Sequence, residues 1–377
     1  MVVGGGAVGA SAAYHLAAAG AGRVVLLERA ASLGTGSTGR CAGGFRQQFS
    51  SRINIELSKA SVPMILGFSE EHGVPLDVVQ DGYLFVVRSE ALWRRFLAAA
   101  DVQRSMGVAV EVLTPEEAAA AAPGISLDGV TGATLGPQDG IADPSGLTFG
   151  YAKAARRAGA EVRVGVEVRA VEVREGVVTG VMTGQGRIEA PVVVNAGGPW
   201  AGLLAATAGV TLPLDPIPRQ VVVTGPFEGA PARRTLVIDA ESSFYFHREG
   251  AGVLMGMGGR DERPSFDTSV DEAFVAEELL PTALRVFPPV ERASVVHQWC
   301  GLYEMTPDRH PVIGEAPGMS GFYLANGFSG HGFQHAPVVG KLLAELIVDG
   351  AATTVDVSAL GLARFLSGDL VVEAHVV

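Results

Sequence analysis

The strongest constraint on what this chain can fold into is its opening, Gly4-Gly5-Gly6-Ala7-Val8-Gly9, a G-x-G-x-x-G turn between a short apolar run and a helical pattern. Met1-Val2-Val3 precedes it and Ser11-Ala12-Ala13-Tyr14-His15-Leu16-Ala17 follows at helical spacing. The apolar run Val24-Val25-Leu26-Leu27 then ends in Glu28. This order suits a dinucleotide, because a glycine turn lets backbone N–H groups and the helix dipole meet a pyrophosphate. A carboxylate about twenty residues past the last glycine accepts hydrogen bonds from a ribose diol. A first strand of three residues is short for a buried parallel sheet, which points to a trimmed start.

The chain has 377 residues, more than one typical core, so two domains are expected. Its 48% apolar content supports buried cores and argues against disorder. A net charge of −12 disfavours nucleic acid and anionic membranes as partners. Cys41 and Cys300 are the only cysteines, so no disulfide framework is expected and a reducing, cytoplasmic location is the natural reading. There is no basic segment of a secretory signal, and no metal-ligand pattern stands out. Residues 192–212 are apolar, but Gly197-Gly198-Pro199 breaks them into an expected strand, turn and helix rather than a membrane span.

Residues 31–50, rich in Gly, Ser and Thr, read as a long functional loop. Residues 53–71 and 92–106 have helical periodicity, and 82–88 alternate as a strand. Thr114-Pro115-Glu116-Glu117 is a helix start, with a capping residue, proline at the first position and early acids. Pro144 opens another helix, followed by a strand at 161–166 and a hairpin over 168–188. Val192-Val193-Val194 runs into Asn195-Ala196-Gly197-Gly198, a second place where backbone can approach a ligand. Strands at 219–224, 243–247, 253–257 and 295–303 are expected to form another sheet. A strand at 321–326, a glycine-rich turn at 327–332 and a helix at 336–347 close the pattern. Nucleotide signals therefore recur at the beginning, middle and end, with β-rich inserts between them. The expected class is α/β: a Rossmann-like dinucleotide domain (1–80, 136–212 and 305–377) with an inserted substrate domain (81–135 and 213–304) on a mainly antiparallel sheet.

Several blocks occur in a fixed order: Gly4 to Gly9 with Glu28-Arg29, Gly36-Ser37-Thr38-Gly39-Arg40 running to Arg46, and Asp139-Gly140 with Asp143-Pro144. Asn195-Ala196-Gly197-Gly198-Pro199-Trp200, Tyr303-Glu304-Met305-Thr306-Pro307-Asp308 and Gly327-Phe328-Ser329-Gly330-His331-Gly332-Phe333 complete the set. In this the sequence resembles the flavoprotein family of D-amino-acid oxidase, glycine oxidase and sarcosine oxidase, nearest the sarcosine oxidase and proline dehydrogenase β-subunit branch. The resemblance covers essentially the whole chain. It implies FAD as cofactor, with the Rossmann-like domain as its binding domain.

By that resemblance Gly4, Gly6 and Gly9, with Ala7 and Val8, face the pyrophosphate; Glu28 takes the ribose and Arg29 lies beside the adenosine phosphate. Ser37, Thr38, Arg40, Gly43 and Gly44 line the cofactor on its way to the flavin, Val168 meets adenine and Gly197 approaches the nucleotide. Gly330, His331, Gly332 and Phe333 are expected at the flavin end. Arg46 is expected to grip a substrate carboxylate, joined by the Tyr303 hydroxyl, while Tyr245 and His247 lie on a strand covering the flavin. Phe49, Leu254, Met255 and Met257 are expected to admit an aliphatic portion of the substrate.

Three departures qualify what the resemblance implies. Some relatives attach FAD to a cysteine two residues before the tyrosine; here that position is Gly301 and Cys300 is one place away, so FAD is expected to be non-covalent. The position after Gly-His-Gly-Phe, a carboxylate-binding lysine in those oxidases, is Gln334, which joins the candidate substrate contacts. Relatives that use oxygen often place a lysine over the flavin, whereas Lys59, Lys153 and Lys341 all fall outside the inserted sheet. The function implied is oxidation of a glycine-type or N-substituted amino acid such as sarcosine, glycine or an N-carboxymethyl amine. Hydride passes to flavin N5, the imine hydrolyses, and O2 is reduced to H2O2. A dye- or partner-linked dehydrogenase subunit of proline type, a flavin-binding protein without turnover and a nicotinamide dehydrogenase are the alternatives.

Overall fold

Short valine- and leucine-rich runs with no polar face become the innermost strands, as expected for strands covered on both sides. The computed structural model describes residues 1–259, 262–368 and 370–375. In it a six-stranded sheet runs in the order Val312–Glu315, Phe322–Asn326, Val193–Asn195, Val2–Val3, Val25–Leu27 and Glu161–Arg163. Its pairings are parallel except at Val312–Glu315, which runs antiparallel to its neighbour. Alternation along the strands sorts the two faces. Val2, Leu26 and Val194 pack under Ala12, Ala13, Val338 and Leu342 of the helices Ala7–Ala18 and Gly332–Ala344. Val3, Leu27 and Val193 pack instead on Val171, Val181 and the helix Ala201–Thr207.

The second large sheet has eight strands, ordered Val295–Met305, Asp215–Thr224, Gly252–Met257, Phe244–Glu249, Leu236–Asp239, Tyr83–Val87, Gly132–Gly136 and Glu111–Leu113. All its pairings are antiparallel but one, Tyr83–Val87 beside Leu236–Asp239. Here too the period of two decides function. Phe246, Met255 and Val222 face a helix-covered core with Leu279, Ala283 and Phe287. Tyr83, Val221, Leu236 and Tyr245 occupy the other face, with Phe85 and Leu254. A small sheet of Gly44–Phe45, Gly140–Ala142 and Val78–Val79 holds the segment leading to Arg46.

The Rossmann-like core and the inserted mixed sheet agree with the α/β expectation. Several local readings are corrected. The helix expected over 53–71 is two, Arg52–Leu66 and Phe68–His72, with Pro63 and Gly67 marking the break. The hairpin over 168–188 is a three-stranded meander, Val168–Arg174, Val177–Thr183 and Gly186–Glu189. The helix expected over 336–347 starts at Gly332, four residues earlier, so Phe333 and Gln334 are helical. Thr114 forms a complete capping box with Glu117. Residues 192–212 give a strand, a turn and the helix Ala201–Thr207, and no helix among the described residues is long and apolar enough to cross a membrane.

Candidate active site

One cavity of about 690 Å³ joins the two sheets, and both the glycine turn and the inserted sheet line it. At the end formed by the glycine turn its walls include Gly4, Gly6, Ala7, Val8, Glu28 and Arg29, with Val168 and Gly197. The Glu28 carboxylate is held by the N–H groups of Gly5 at 2.7 Å and Ala30 at 2.8 Å, which fixes it while leaving lone pairs for a diol. The Thr38 hydroxyl accepts from the Ala7 N–H at 3.1 Å, tying the loop to the start of the first helix. Arg29 stacks on the Trp200 ring with 3.8 Å to its centroid. Gly9 does not line the cavity. A Cβ there would lie 1.8 Å from the Gly4 carbonyl oxygen, so its task is to let the helix pack against the turn.

The cavity continues past Ser37, Thr38, Arg40, Gly43 and Gly44 to Gly330, Gly332 and Phe333. Arg40 donates to the Cys300 carbonyl at 2.6 Å, and Ser37 to the Leu302 carbonyl at 2.7 Å, locking the loop onto the strand Val295–Met305. Gly301, not Cys300, lies in the wall; Cys300 is fully buried and its Sγ turns to the Gly301 carbonyl. Gly330 has φ +93°, and a Cβ on it would strike the Tyr303 ring at 2.4 Å, so the turn and the tyrosine need glycine between them.

Three phenols, Tyr83, Tyr245 and Tyr303, enter the same chamber with Val221, Leu236 and the guanidinium of Arg219. Burial raises the pKa of each phenol, so all three stay neutral and can donate hydrogen bonds. Arg219 sits 4.7 Å over the Tyr303 ring and pairs with Glu262 at 2.6 Å, while its Nε is buried without a partner. Glu304 also lines the cavity; burial pushes its carboxyl up to about 7, against hydrogen bonds from the Gly327 and Phe328 backbone.

Arg46 lies behind this wall rather than in it. Its guanidinium donates to the Gln48 and His375 carbonyls, meets His331 Nε2 at 3.1 Å and stacks 4.1 Å over Phe49. Gln334 is equally committed: its carbonyl accepts from the Arg46 N–H at 3.0 Å and its amide donates to the Arg46 carbonyl at 3.1 Å. The His331 ring turns to Arg46 and Phe49 and stays neutral, its pKa lowered by burial and then by Arg46. His247 shares a strand face with Tyr245, but is buried outside the wall, with Nδ1 at 2.8 Å from the Arg248 carbonyl. Burial lowers its pKa to about 4. The Arg46, Gln334, His247 and His331 side chains therefore stand outside the cavity wall, each engaged with the protein around it. Phe49, Leu254, Met255 and Met257 pack into cores instead of the chamber.

Sequence reasoning missed Arg219, Tyr83, Glu304 and Glu373. Arg219 opens the expected strand at 219–224, and a cation leading into the apolar run Val221-Val222-Val223 was the available signal. Glu373 gave none. It is fully buried and accepts from the N–H groups of Ser50 and Ser51, from both their hydroxyls and from Asn54, at the start of the helix Arg52–Leu66. Burial raises its pKa, but these bonds outweigh that and hold it well below the usual carboxylate range.

Comparison with known proteins gives a consistent result. The family model described as DAO, FAD dependent oxidoreductase, matches residues 1–346. Sarcosine dehydrogenase, mitochondrial, from Mus musculus is 32% identical over 366 residues, covering 93% of this chain and 39% of its own length. The chain thus spans about two-fifths of that relative. Among solved structures, L-proline dehydrogenase from P. horikoshii is 34% identical with a TM-score of 0.90, covering 98% of both chains. Glycine oxidase from Geobacillus kaustophilus is 27% identical with a TM-score of 0.86, covering 96% of this chain and 97% of that one.

Proposed function

The chain belongs to the FAD-dependent oxidoreductase family, and from that premise we propose that it oxidises the C–N bond of a glycine-type or N-substituted (secondary) amino acid. It is an FAD-dependent amine and amino-acid oxidoreductase, and its FAD is non-covalent. The residues fit that cofactor: a glycine turn before a twelve-residue helix, a fixed carboxylate at Glu28 and a wall of small residues that brings Gly301, not a thiol, to the chamber. Gly4, Gly6, Glu28, Ser37, Thr38 and Gly330 would hold it. When bound, FAD supplies the two-electron acceptor for the carbon next to nitrogen.

The chain's own residues supply binding and shielding. One observation carries the choice of substrate: the chamber contains a buried guanidinium, Arg219, beside the neutral phenols of Tyr245 and Tyr303. This chemistry suits a small carboxylate, with the amine-bearing carbon left among apolar walls. Val221, Leu236 and Phe333 exclude water from the reacting bond and accept an aliphatic substituent. The imine then hydrolyses to a carbonyl compound and an amine, and the electrons pass to O2, giving H2O2. Sarcosine, glycine and a longer N-carboxymethyl amine all meet these requirements.

A second acceptor is favoured by one feature. The charged side chains of the described cavity wall include Arg29, Arg40, Arg169 and Arg219, but no lysine, so electron delivery to a dye or protein acceptor is the alternative. Anaerobic mixing of the purified protein with sarcosine, glycine, L-proline and longer N-alkyl glycines, followed through flavin absorbance near 450 nm, tests the substrate class. Bleaching by one of these supports the reading, and no bleaching by any of them refutes it. Admitting air then separates the acceptors: rapid recovery with peroxide marks an oxidase, and slow recovery accelerated by an added dye marks a dehydrogenase.

A further inference from the structure

We propose that Arg219 is the residue that seats the substrate carboxylate, and that Glu262 is its exchangeable counter-ion. The proposal deepens the amino-acid reading above and rests on it. Arg219 and Val221 alternate onto the cavity face of the strand Asp215–Thr224, and Arg219 pairs in register with Gly301 on the strand that carries Tyr303. The other cavity cations are already engaged: Arg29 on Trp200, Arg40 on the Cys300 carbonyl and Arg169 with Glu167. Among the described residues, Arg219 is the cation of the tyrosine-lined chamber.

The two members of the pair differ in their access to water. The Arg219 side chain is 7% exposed, whereas that of Glu262 is 30% exposed. A nearly buried guanidinium needs an anion beside it at all times, because water cannot solvate it there. Among the described residues its one close partner is Glu262, and its bond to the Pro218 carbonyl is long at 3.4 Å, so the fork retains donor capacity. Glu262 neutralises it in the empty chamber at 2.6 Å. A substrate carboxylate can take that place while Glu262 turns to solvent, and the charge of the chamber is conserved. Exchange of this kind favours monoanionic substrates over amines with no carboxylate, which bring nothing to trade for Glu262. Arg46 cannot serve in this way, since its donors are bound to the Gln48 and His375 carbonyls and to His331.

The test uses holoenzyme and sodium acetate as the probe, read as a flavin difference spectrum and independent of turnover. Arg219→Gln is expected to weaken acetate binding by about 50-fold or more, and Glu262→Gln, by removing the competitor, to tighten it about 10-fold. Arg46→Lys is expected to leave it within about twofold. Unchanged acetate binding in Arg219→Gln with an intact flavin spectrum would overturn the assignment, as would its loss in Arg46→Lys with an intact flavin spectrum and an unchanged melting temperature. Equal or weaker binding in Glu262→Gln would overturn the exchange, and this partly exposed position does not endanger folding. If no amine bleaches the flavin while acetate still binds through Arg219, the amino-acid reading fails and the carboxylate site stands.

Discussion

At the scale of single residues, burial and pairing separate groups that the sequence presents as equals. Arg46 and Arg219 are both arginines near expected site segments, yet one is spent on carbonyls and the other faces the chamber. No pattern along the chain tells them apart, because the carbonyls that saturate Arg46 come partly from His375, more than three hundred residues away. The place of Glu28 in the cavity wall was legible, since it depends on a local strand, turn and helix. Glu304 carries a consequence for pH. Its carboxyl ionises near 4.5 when unfolded and near 7 when folded, so the folded state holds the extra proton between those values. Its contribution to stability is complete below pH 4.5 and is lost as pH rises through 7. Glu304→Gln cannot ionise, and is expected to be more stable than the wild type at pH 8 by roughly 2 kcal/mol, with little difference at pH 4. Thermal unfolding of both proteins at the two pH values checks this, and an equal difference at both would refute it.

At the scale of elements, helices and strands were legible where their determinants are local: the capping box at Thr114, the continuous, mostly aromatic and β-branched run of Tyr83–Val87 and the glycine turn at the start. Elements whose partners lie far away were not. The strands Leu236–Asp239 and Val312–Glu315 are only four residues each, and their identity comes from the sheets that accept them. The helix Arg52–Leu66 is an instructive case, because Ser51 at its start makes no side-chain cap to it. Glu373 instead accepts from the N–H groups of Ser50 and Ser51, just before the helix, and from the Asn54 side-chain amide in its first turn. Glu373→Ala would leave buried N–H and hydroxyl donors unpaired, and is expected to cost about 3 kcal/mol, lowering the melting temperature of the holoenzyme by several degrees. An unchanged melting temperature would show that the helix holds its start without the tail.

At the scale of the whole molecule, the cavity is assembled from segments scattered between Val3 and Phe333, and nearly every local nucleotide signal proved to be part of its wall. In the function proposed above, FAD lies among those segments and adds to the packing that joins them. Removing FAD is expected to lower the melting temperature, and adding it back to raise the melting point progressively with FAD concentration, as mass action requires of a ligand held only by the folded state. A melting point independent of added FAD would contradict non-covalent binding by this cavity.

The position of Val2–Val3 between Val25–Leu27 and Val193–Asn195 bears on how the protein is made. On the ribosome the first strand gains one neighbour almost at once, but its other edge stays bare until residue 195 has been translated. At about 5–20 residues per second that interval lasts roughly ten to thirty seconds. During it the nascent chain displays an unpaired apolar edge, the kind of surface that chaperones shield and that favours aggregation when expression outpaces them.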